Sequence, residues 1–356
     1  MQFGPRALID WDALRHNLQR ARQAAPGTLA LAIIKANGYG HGMLRVAEAL
    51  KDDADGFGVA RTSEGVRLRE AGFQQPITIL GGFNDRDELE ATSQHRLNPA
   101  IHSPHQIELL EQHPQRQPIS CWIKIDTGMH RLGLEPEQVQ ETTKRLTALP
   151  HVADIRYMSH LACADDPTSD ATNQQQQLFT KIVPAKATTS LANSAGILAW
   201  PTTHADWIRP GIMLYGASPL LGHTSEDDDL RPVMTLETRL VSIKRVKKGQ
   251  SIGYGASWTC PEEMRVGIAA IGYGDGYPRH APSGTPTLIH GHFAPLVGRV
   301  SMDMIAIDLR NHPEAGIGDR VILWGKGLPA EIIAEKAGTI AYELFCGVTR
   351  RVNITN

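Results

Sequence analysis

The sequence predicts an α/β fold in two parts, an N-terminal (β/α)8 barrel of the TIM type and a C-terminal domain rich in β-strands. From residue 28 to about residue 215, short apolar runs alternate eight times with amphipathic helical patterns, which is typical of parallel strands closed into a barrel. After about residue 233 this periodicity ends, and strand-like runs separated by Gly-rich turns replace it. We therefore assign residues 1–233 to the barrel and residues 234–356 to the β-rich domain.

The barrel region contains strand patterns and helix signals in regular succession. A helix over Trp11–Ala24, capped by Asp10, is predicted ahead of the first strand. Thr62 or Ser63 is expected to cap a later helix. The eight predicted barrel strands are Leu29–Lys35, Phe57–Ala60, Ile77–Leu80, Leu97–Ile101, Cys121–Asp126, Ile155–His160, Ser190–Asn193 and Trp207–Ile208.

The C-terminal region shows strand patterns followed by two short helical segments. The acidic segment Leu221–Asp229, just before this region, is expected to form an exposed loop. His290 and His292 are interpreted as part of a turn, because no third metal ligand is evident, and no metal site is predicted. The predicted helices are Pro329–Ala337 and Ala341–Phe345, and the predicted strands are Thr235–Arg245, Arg265–Ile271, Thr287–His290, Pro295–Val300, Ile305–Leu309 and Arg320–Trp324.

Composition and charge exclude several classes of protein. The formal net charge of −2 at pH 7 provides no field that would attract nucleic acid or an anionic membrane surface. No apolar run approaches the roughly 20 residues of a transmembrane helix, and the N-terminal segment lacks the apolar stretch of a signal peptide. The four cysteines form no C-x-x-C pair and are interpreted as reduced thiols. We expect a cytoplasmic protein that binds neither nucleic acid nor membrane.

A (β/α)8 barrel gathers its active site at the C-terminal ends of its strands. Lys35 ends the first predicted strand, Lys124 lies in the fifth, and Arg131 follows the fifth. Burial and cationic neighbours lower the pKa of a lysine, and such a lysine reacts with carbonyl groups as a nucleophile. Lys35 is therefore a candidate for chemistry, and a lysine that only reaches from the barrel rim into water is the alternative.

Strands seven and eight are followed by residue types that hold phosphate groups in barrel enzymes. Ser194 follows strand seven, and the amides of Gly211 and Ile212, which are suitable donors, follow strand eight. In isolation, Ser194 is better explained as a helix N-cap, His160 as a core histidine and Arg209 as a surface charge. The combination of the serine with the two amides favours a phosphate site.

Two tyrosines of the second domain lie inside glycine-rich turns. Tyr254 is flanked by Gly253 and Gly255, and Tyr273 follows Gly272. Flanking glycines leave an aromatic side chain exposed, which favours a functional role. A tyrosine that merely covers an apolar edge is the alternative interpretation for each.

Taken together, these segments resemble the alanine racemase family over nearly the whole chain. The resemblance rests on six segments in the family's order, which are Ile34–Gly42 (IKANGYGHG), Trp122–Gly133 (WIKIDTGMHRLG), Arg209–Gly216 (RPGIMLYG), Gly253–Gly255 (GYG), Ile271–Gly276 (IGYGDG) and Gly298–Asp303 (GRVSMD). It implies a homodimeric isomerase that uses pyridoxal phosphate to interconvert L-alanine and D-alanine. Both a supply of D-alanine for cell wall and the catabolism of L-alanine remain open as roles.

The resemblance also implies the catalytic residues. Lys35 would carry the cofactor and act as one of two bases, and Tyr254, from the partner subunit, would be the other. Arg209 would face the pyridine nitrogen of the cofactor. His160 would lie between Arg209 and Tyr254.

Further binding roles follow from the same resemblance. Arg131 would contact the phenolic oxygen of the cofactor and position the substrate, and Lys124 matches a lysine that is carbamylated in many members. Tyr273 and Met302, again from the partner chain, would line the substrate site. The residues expected to bind the cofactor phosphate or lie near the cofactor are Tyr39, Asn193, Ser194, Gly211 and Ile212.

One departure and two alternatives stand beside this interpretation. Some family members have a tyrosine near the C-terminus that reaches the cofactor phosphate, but the comparable segment Cys346–Arg351 has none. The first alternative is a racemase of broader specificity, or a decarboxylase or aldolase of the same fold, and the pairing of Lys35 with Tyr254 argues for racemisation. The second is a non-catalytic pyridoxal phosphate carrier, which would resemble the barrel alone.

Overall fold

Residues 3–355, the part of the chain that the computed structural model describes, contain one small two-stranded sheet and are organised by two eight-stranded sheets. One sheet is parallel and builds the barrel, and the other is antiparallel apart from one pairing and comes mainly from the C-terminal region. Within residues 3–355, no helix is long and apolar enough to cross a membrane.

The elements follow the predicted succession of strands and helices. The strands are β1 (Arg6–Ile9), β2 (Leu29–Ile33), β3 (Gly56–Val59), β4 (Ile77–Ile79), β5 (Asn98–Ile101), β6 (Ile119–Lys124), β7 (Val152–Met158), β8 (Thr189–Ser190), β9 (Trp207–Ile208), β10 (Met234–Val246), β11 (Ser251–Ile252), β12 (Trp258–Thr259), β13 (Met264–Ala269), β14 (Pro286–Ile289), β15 (His292–Val297), β16 (Ile305–Asp308), β17 (Arg320–Trp324) and β18 (Asn353–Thr355). The helices are α1 (Trp11–Ala24), α2 (Lys35–Tyr39), α3 (Met43–Leu50), α4 (Thr62–Glu70), α5 (Arg86–Gln94), α6 (Pro104–Gln112), α7 (Val139–Thr147), α8 (Ala171–Ile182), α9 (Ser194–Ala199), α10 (Ala330–Ala337) and α11 (Ala341–Gly347). Short 3-10 turns cover Pro136–Gln138, Pro201–Thr203, Ile212–Tyr215, Tyr254–Ala256 and Tyr273–Asp275.

The parallel sheet confirms the predicted eight-stranded barrel. Its strands neighbour one another in the order β8, β7, β6, β5, β4, β3, β2 and β9. The barrel closes between β8 and β9, where the Arg209 N–H donates to the Ala192 carbonyl at 3.0 Å and the Ser190 hydroxyl donates to the Trp207 carbonyl at 2.7 Å. Because helices cover the outside, most residues of these strands are apolar, which is the pattern that made them recognisable in the sequence, although β7 contains Asp154 and Arg156.

Six antiparallel strands, β10 and β13–β17, pair in a closed circle. The first half of β10 pairs with β17 and its second half pairs with β13, with a register shift between Leu240 and Ser242. From β13 the pairing continues through β16, β15 and β14 back to β17. Tyr277 and Trp324 are buried and stack with ring centroids 6.2 Å apart. His290 lies in the turn between β14 and β15, as predicted, and His292 is the first residue of β15.

The first strand of the chain belongs to the second sheet. β1 pairs antiparallel with β10 and parallel with β18, so Arg6 lies opposite both Glu237 and Asn353. The buried Glu237 carboxylate accepts contacts from Arg6 and Arg320. The sequence did not predict β1 or β18, and the division at residues 233 and 234 stays a prediction.

The N-termini of α1 and α4 test the predicted helix caps. Asp10 caps α1 as expected, because its carboxylate accepts from the Ala13 N–H at 2.9 Å. The expectation that Thr62 or Ser63 caps α4 is wrong. Thr62 is already the first helical residue, and the Glu64 carboxylate reaches back to satisfy the free N–H groups before it.

Gly216 marks the point where the chain leaves the barrel, and it provides a test of the fold. Its φ is +77°, and a Cβ atom there would lie 1.9 Å from the Arg231 carbonyl oxygen. Gly222 has nearly the same φ, +75°, but nothing lies within 4 Å of such an atom. We expect Gly216→Ala to lower the free energy of unfolding by roughly 2–4 kcal/mol, since backbone strain and a backbone clash add, and Gly222→Ala by only about 1 kcal/mol. Chemical denaturation measures both, and equal losses would contradict the packing at this junction.

Candidate active site

A cavity of about 500 Å³ opens at the C-terminal ends of the barrel strands. Strand ends, the loops that follow them and the helix α11 form its wall. All predicted site residues of the N-terminal region line it, namely Lys35, Tyr39, Lys124, Arg131, His160, Asn193, Ser194, Arg209, Gly211 and Ile212. Residues scattered over nearly 180 positions of sequence therefore meet in one place.

Lys35 begins α2, which is one turn of left-handed helix directly after β2. Ala36, Asn37 and Tyr39 have φ values of 52°, 54° and 49°. This conformation costs a non-glycine residue roughly 1–2 kcal/mol, so three of them in one turn need support from their surroundings. The turn directs Tyr39 inward, where its ring stacks on Tyr215 with centroids 4.6 Å apart.

His41 and α11 supply part of that support. The His41 ring is fully buried between Tyr215 and Phe345, and its Nδ1–H donates to the Tyr39 carbonyl at 2.8 Å. Burial lowers the pKa of His41 to about 4, so the ring is neutral near pH 7. Next to it, Gly40 admits the backbone of α11, because a Cβ atom there would lie 2.1 Å from the Phe345 carbonyl oxygen.

Glu64 ties the lysine segment to the neighbouring strand. One carboxylate oxygen accepts from the Ala36 N–H at 2.9 Å, and the other accepts from the N–H groups of Ala60 and Arg61 at 2.8 and 3.1 Å. The sequence analysis missed this residue. A glutamate at the third position of a predicted helix is a capping signal that would have identified its bond to Arg61 but not the one to Ala36.

Arg209 is a buried cation held without a carboxylate partner. Its side chain is 4% exposed, and its guanidinium donates to the Ser190 hydroxyl at 2.6 Å and to the Ser159 and Leu191 carbonyls at 2.5 and 3.1 Å. Burial lowers its pKa to about 10, which leaves it charged at neutral pH. It is therefore a fixed positive charge in the cavity wall.

The charged groups in this cavity are mainly cationic, and together with burial they lower the pKa values of the neighbouring lysines and histidine. Burial and Arg131 lower the pKa of Lys35, and burial together with Arg209 lowers the pKa of Lys124 to about 8. Burial and Arg209 hold the pKa of His160 well below its usual value. Among the described residues that line the cavity, none is an aspartate or a glutamate. The cavity thus favours an anionic ligand and keeps amines partly neutral.

A small polar cradle lies between the ends of β8 and β9. The Gly211 N–H donates to the Ser194 hydroxyl oxygen at 2.8 Å, which leaves the Ser194 O–H free to donate to a ligand. A Cβ atom at Gly211 would lie 2.9 Å from the Tyr39 hydroxyl, so the glycine admits that group. The Gly211 amide thus supports Ser194, and the N-cap of α9 is Asn193, whose side chain accepts from the Gly196 N–H.

Two residues of α11 line the cavity and were missed from the sequence. The expectation that the C-terminal segment brings no tyrosine to the site needs correction, because Tyr342 lines the cavity with its ring 6.0 Å from that of Tyr39. The segment Cys346–Arg351 itself contributes Cys346. No local pattern marks these residues, since they reach the site only through packing of a distant helix.

The three predicted site residues of the second domain do not line the cavity of their own chain. Tyr254, Tyr273 and Met302 are 68%, 40% and 51% exposed. The Tyr273 N–H donates to the Ser301 carbonyl at 3.0 Å, which joins the turns of Tyr273 and Met302. The turn of Tyr254 lies against Arg299. A Cβ atom on Gly255, the next residue, would lie 3.0 Å from the Arg299 guanidinium. We call this exposed surface, formed by Tyr254, Tyr273 and Met302, the tyrosine edge.

Comparison with known proteins gives one family along the whole chain. Residues 9–219 match the family model for the N-terminal domain of alanine racemase, and residues 233–355 match that for its C-terminal domain. An alanine racemase of Nitrosococcus oceani is 52% identical over 98% of both chains. The solved biosynthetic alanine racemase from Pseudomonas aeruginosa gives a TM-score of 0.97 at 42% identity over 99% of both chains. The alanine racemase from Bartonella henselae, solved with covalently bound pyridoxal phosphate, gives 0.89 at 29% identity over 99% of both.

The buried neutral His41 makes the stability of the fold depend on pH. Its pKa is about 4 in the folded chain and 6.5 in the unfolded chain, so between these values only the unfolded chain binds the proton. The contribution of the neutral His41 ring to the free energy of unfolding is fully present above about pH 6.5. It falls by up to roughly 3 kcal/mol as the pH drops towards 4. We expect His41→Asn, whose amide still offers a donor near the Tyr39 carbonyl, to remove this part of the slope.

Chemical denaturation at several pH values between 7 and 4 measures the slope for each variant. The exposed His292, changed to asparagine, is the control, and its curve should run parallel to that of the wild type. A His41→Asn curve that is also parallel would show that His41 is not buried in its neutral form.

Proposed function

The chain belongs to the alanine racemase family, and we propose that it interconverts L-alanine and D-alanine with two bases, Lys35 from one subunit and Tyr254 of the partner subunit. Members of the family are isomerases that depend on pyridoxal phosphate. The observation that carries the proposal is the cationic cavity around Lys35, in which burial and Arg131 lower the pKa of the amine. The tyrosine edge is the second, since it presents Tyr254 away from the cavity of its own chain.

The cavity fits pyridoxal phosphate in charge and in its donors. The free O–H of Ser194, the Tyr39 hydroxyl and the amide of Ile212 suit the phosphate, and Gly211 and Asn193 shape the space around them. When bound, the cofactor withdraws electrons from the bond to the Cα hydrogen of an amino acid, which makes that hydrogen acidic enough to remove. A dianionic phosphate also offsets the positive charge that the cavity concentrates.

Three side chains would hold the remaining parts of the cofactor and the substrate. Lys35 would attach the cofactor aldehyde through its neutral amine. Arg209, fixed by its hydrogen bonds, would face the ring nitrogen. Arg131 would face the phenolic oxygen and the substrate carboxylate, which accounts for an arginine at the open side of the cavity.

Inversion at Cα needs a base on one face and an acid on the other. When its amine is not linked to the cofactor, the lowered pKa of Lys35 gives it a larger neutral fraction at neutral pH, so it can take the proton from one face. The phenol of the partner's Tyr254 then returns a proton to the opposite face, and the roles exchange in the reverse direction. His160, kept neutral by burial and Arg209, would hydrogen-bond to the phenolic oxygen and assist the transfer.

A homodimer follows from this arrangement, because one chain supplies only half of the site. The partner's Tyr273 and the partner's Met302 would close the cavity over the substrate side chain and favour a methyl group. A racemase of broader specificity would use the same two bases. A carrier function is disfavoured because residues 233–355 match the C-terminal domain of the family and carry the tyrosine edge.

Incubation with L-alanine in deuterated water tests the function. We expect the wild type to form D-alanine with deuterium at Cα. Tyr254→Phe should lower kcat by roughly 100-fold or more, because a general acid–base group is removed, while the cofactor still binds through Lys35. Tyr157→Phe, which removes a hydroxyl bonded to Thr143 away from the cavity, should retain activity. Chiral chromatography and mass spectrometry give both readouts.

Subunit mixing tests the shared site. Lys35→Ala and Tyr254→Phe chains each lack one base, whereas a heterodimer of the two has one site with both bases. We expect both homodimers to be nearly inactive and activity to return after co-expression. A Tyr254→Phe enzyme as active as the wild type, or a wild type that does not take up pyridoxal phosphate, contradicts the proposal.

We further propose that Lys124 is carbamylated. A carbamate forms from a neutral amine and carbon dioxide with release of a proton, and burial and Arg209 lower the pKa of Lys124 to about 8. The resulting anion would pair with Arg131. We expect isotopically labelled bicarbonate to give a carbamate NMR signal that Lys124→Met lacks, whereas Lys181→Met on α8 retains it. A signal that persists in Lys124→Met would assign the carbamate elsewhere.

A further inference from the structure

Gln175 is the buried member of a run of four glutamines on α8. Its side chain is 3% exposed, whereas Gln174 and Gln177 are exposed and Gln176 is intermediate. The helix α8 lies outside the barrel, yet this one side chain points towards the loops that carry site residues. Nothing in the roles described so far uses it.

The Gln175 amide joins two of these loops by three hydrogen bonds. Its Nε2 donates to the His160 carbonyl at 3.0 Å and to the Thr127 hydroxyl at 3.2 Å. Its Oε1 accepts from the Ala162 N–H at 2.9 Å. The side chain also packs close to Gly128, where a Cβ atom would lie 3.6 Å from the glutamine Cγ. Gln175 thus binds the backbone of the loop after β7 at His160 and Ala162, and it binds the start of the loop that leads to Arg131 at Thr127.

The hydrogen bonds continue from Thr127 to the buried arginine. The Ser159 hydroxyl donates to the Ile125 carbonyl at 2.8 Å, so it accepts from the Thr127 hydroxyl, 2.7 Å away. The Ser159 carbonyl accepts from the Arg209 guanidinium at 2.5 Å. The side-chain donors therefore run from Gln175 through Thr127 and Ser159 to the Ile125 carbonyl, and Arg209 joins the network by donating to the backbone carbonyl of Ser159. All of these polar groups are buried, so a missing link leaves its neighbours without a partner.

We propose that Gln175 is a positioning residue for racemisation, setting the orientation of His160 and Arg209 and the start of the Arg131 loop. The inference rests on the proposed function and extends it to a side chain outside the cavity. Gln175 touches none of the reacting groups and acts through backbone and hydroxyl contacts. A glutamine suits this position because its amide donates twice and accepts at once, which neither a carboxylate nor an apolar side chain does.

The test compares Gln175→Met with Gln177→Met in the holoenzyme. Methionine keeps the length of the side chain and removes its polar atoms. We expect Gln175→Met to lower kcat by roughly 10- to 100-fold, as displaced supporting groups do, and to change the pH profile of kcat/KM and the absorption of the bound cofactor. Gln177→Met, the matched control on the same helix, should behave as the wild type in all three measurements.

A second variant separates positioning from packing. Thr127→Val removes the next hydroxyl of the chain at nearly constant volume, and we expect the same changes in turnover and absorption. If both act along one chain, the double variant loses less activity than the product of the two single losses. Thr127→Val also decides the question if Gln175→Met does not fold.

Two results would overturn the inference, and they are distinct from failure of the function. One is that kcat, the pH profile and the absorption stay at wild-type values in Gln175→Met or Thr127→Val while only the melting temperature falls. The other is that the losses in the double variant multiply. A wild type that fails to racemise alanine would instead contradict the proposed function, and this inference with it.

Discussion

The structure depends on concentrating positive charge where the barrel strands end. Charged groups removed from water need new partners, and here they find carbonyl and hydroxyl oxygens rather than carboxylates. Arg209 shows the principle, because the Ser159 and Leu191 carbonyls hold its guanidinium without neutralising it. The net charge therefore remains available to a ligand. Burial and the same cationic neighbours lower the pKa of Lys35 and Lys124, so the binding of an anion and the reactivity of the amines both depend on this cavity.

Both halves of the chain contribute to this arrangement. The left-handed turn after β2 places Lys35 and Tyr39 on the same wall, but it is strained and relies on contacts from α11 at the other end of the sequence. That helix also brings Tyr342 and Cys346 to the cavity. The β-rich domain thus completes the cavity of its own chain through a helix, while the tyrosine edge lies outside that cavity.

Sequence alone predicted those parts of the molecule that local patterns encode. Buried parallel strands are mostly apolar, so all eight were found, and the rule that their C-terminal ends converge led to the residues that line the cavity, from Lys35 to Ile212. What the sequence did not predict depends on contacts between distant segments. The strand β1 is short and partners two strands far along the chain, Tyr342 arrives on a helix from the other domain, and Gln175 looks like its exposed neighbours.

The pairing of β1 with β18 has a consequence for how the molecule is made. A ribosome produces β1 among the first residues of this sequence, while one of its neighbours, β18, emerges only after the barrel and nearly all of the second sheet. During that interval the backbone N–H and C=O groups on one edge of β1 have no permanent partner, which is the condition under which nascent strands attach to the wrong neighbour. A chain interrupted before its final strand would keep that edge open. Pairing with β18 therefore covers that edge of β1, while β18 itself remains the edge strand of the sheet.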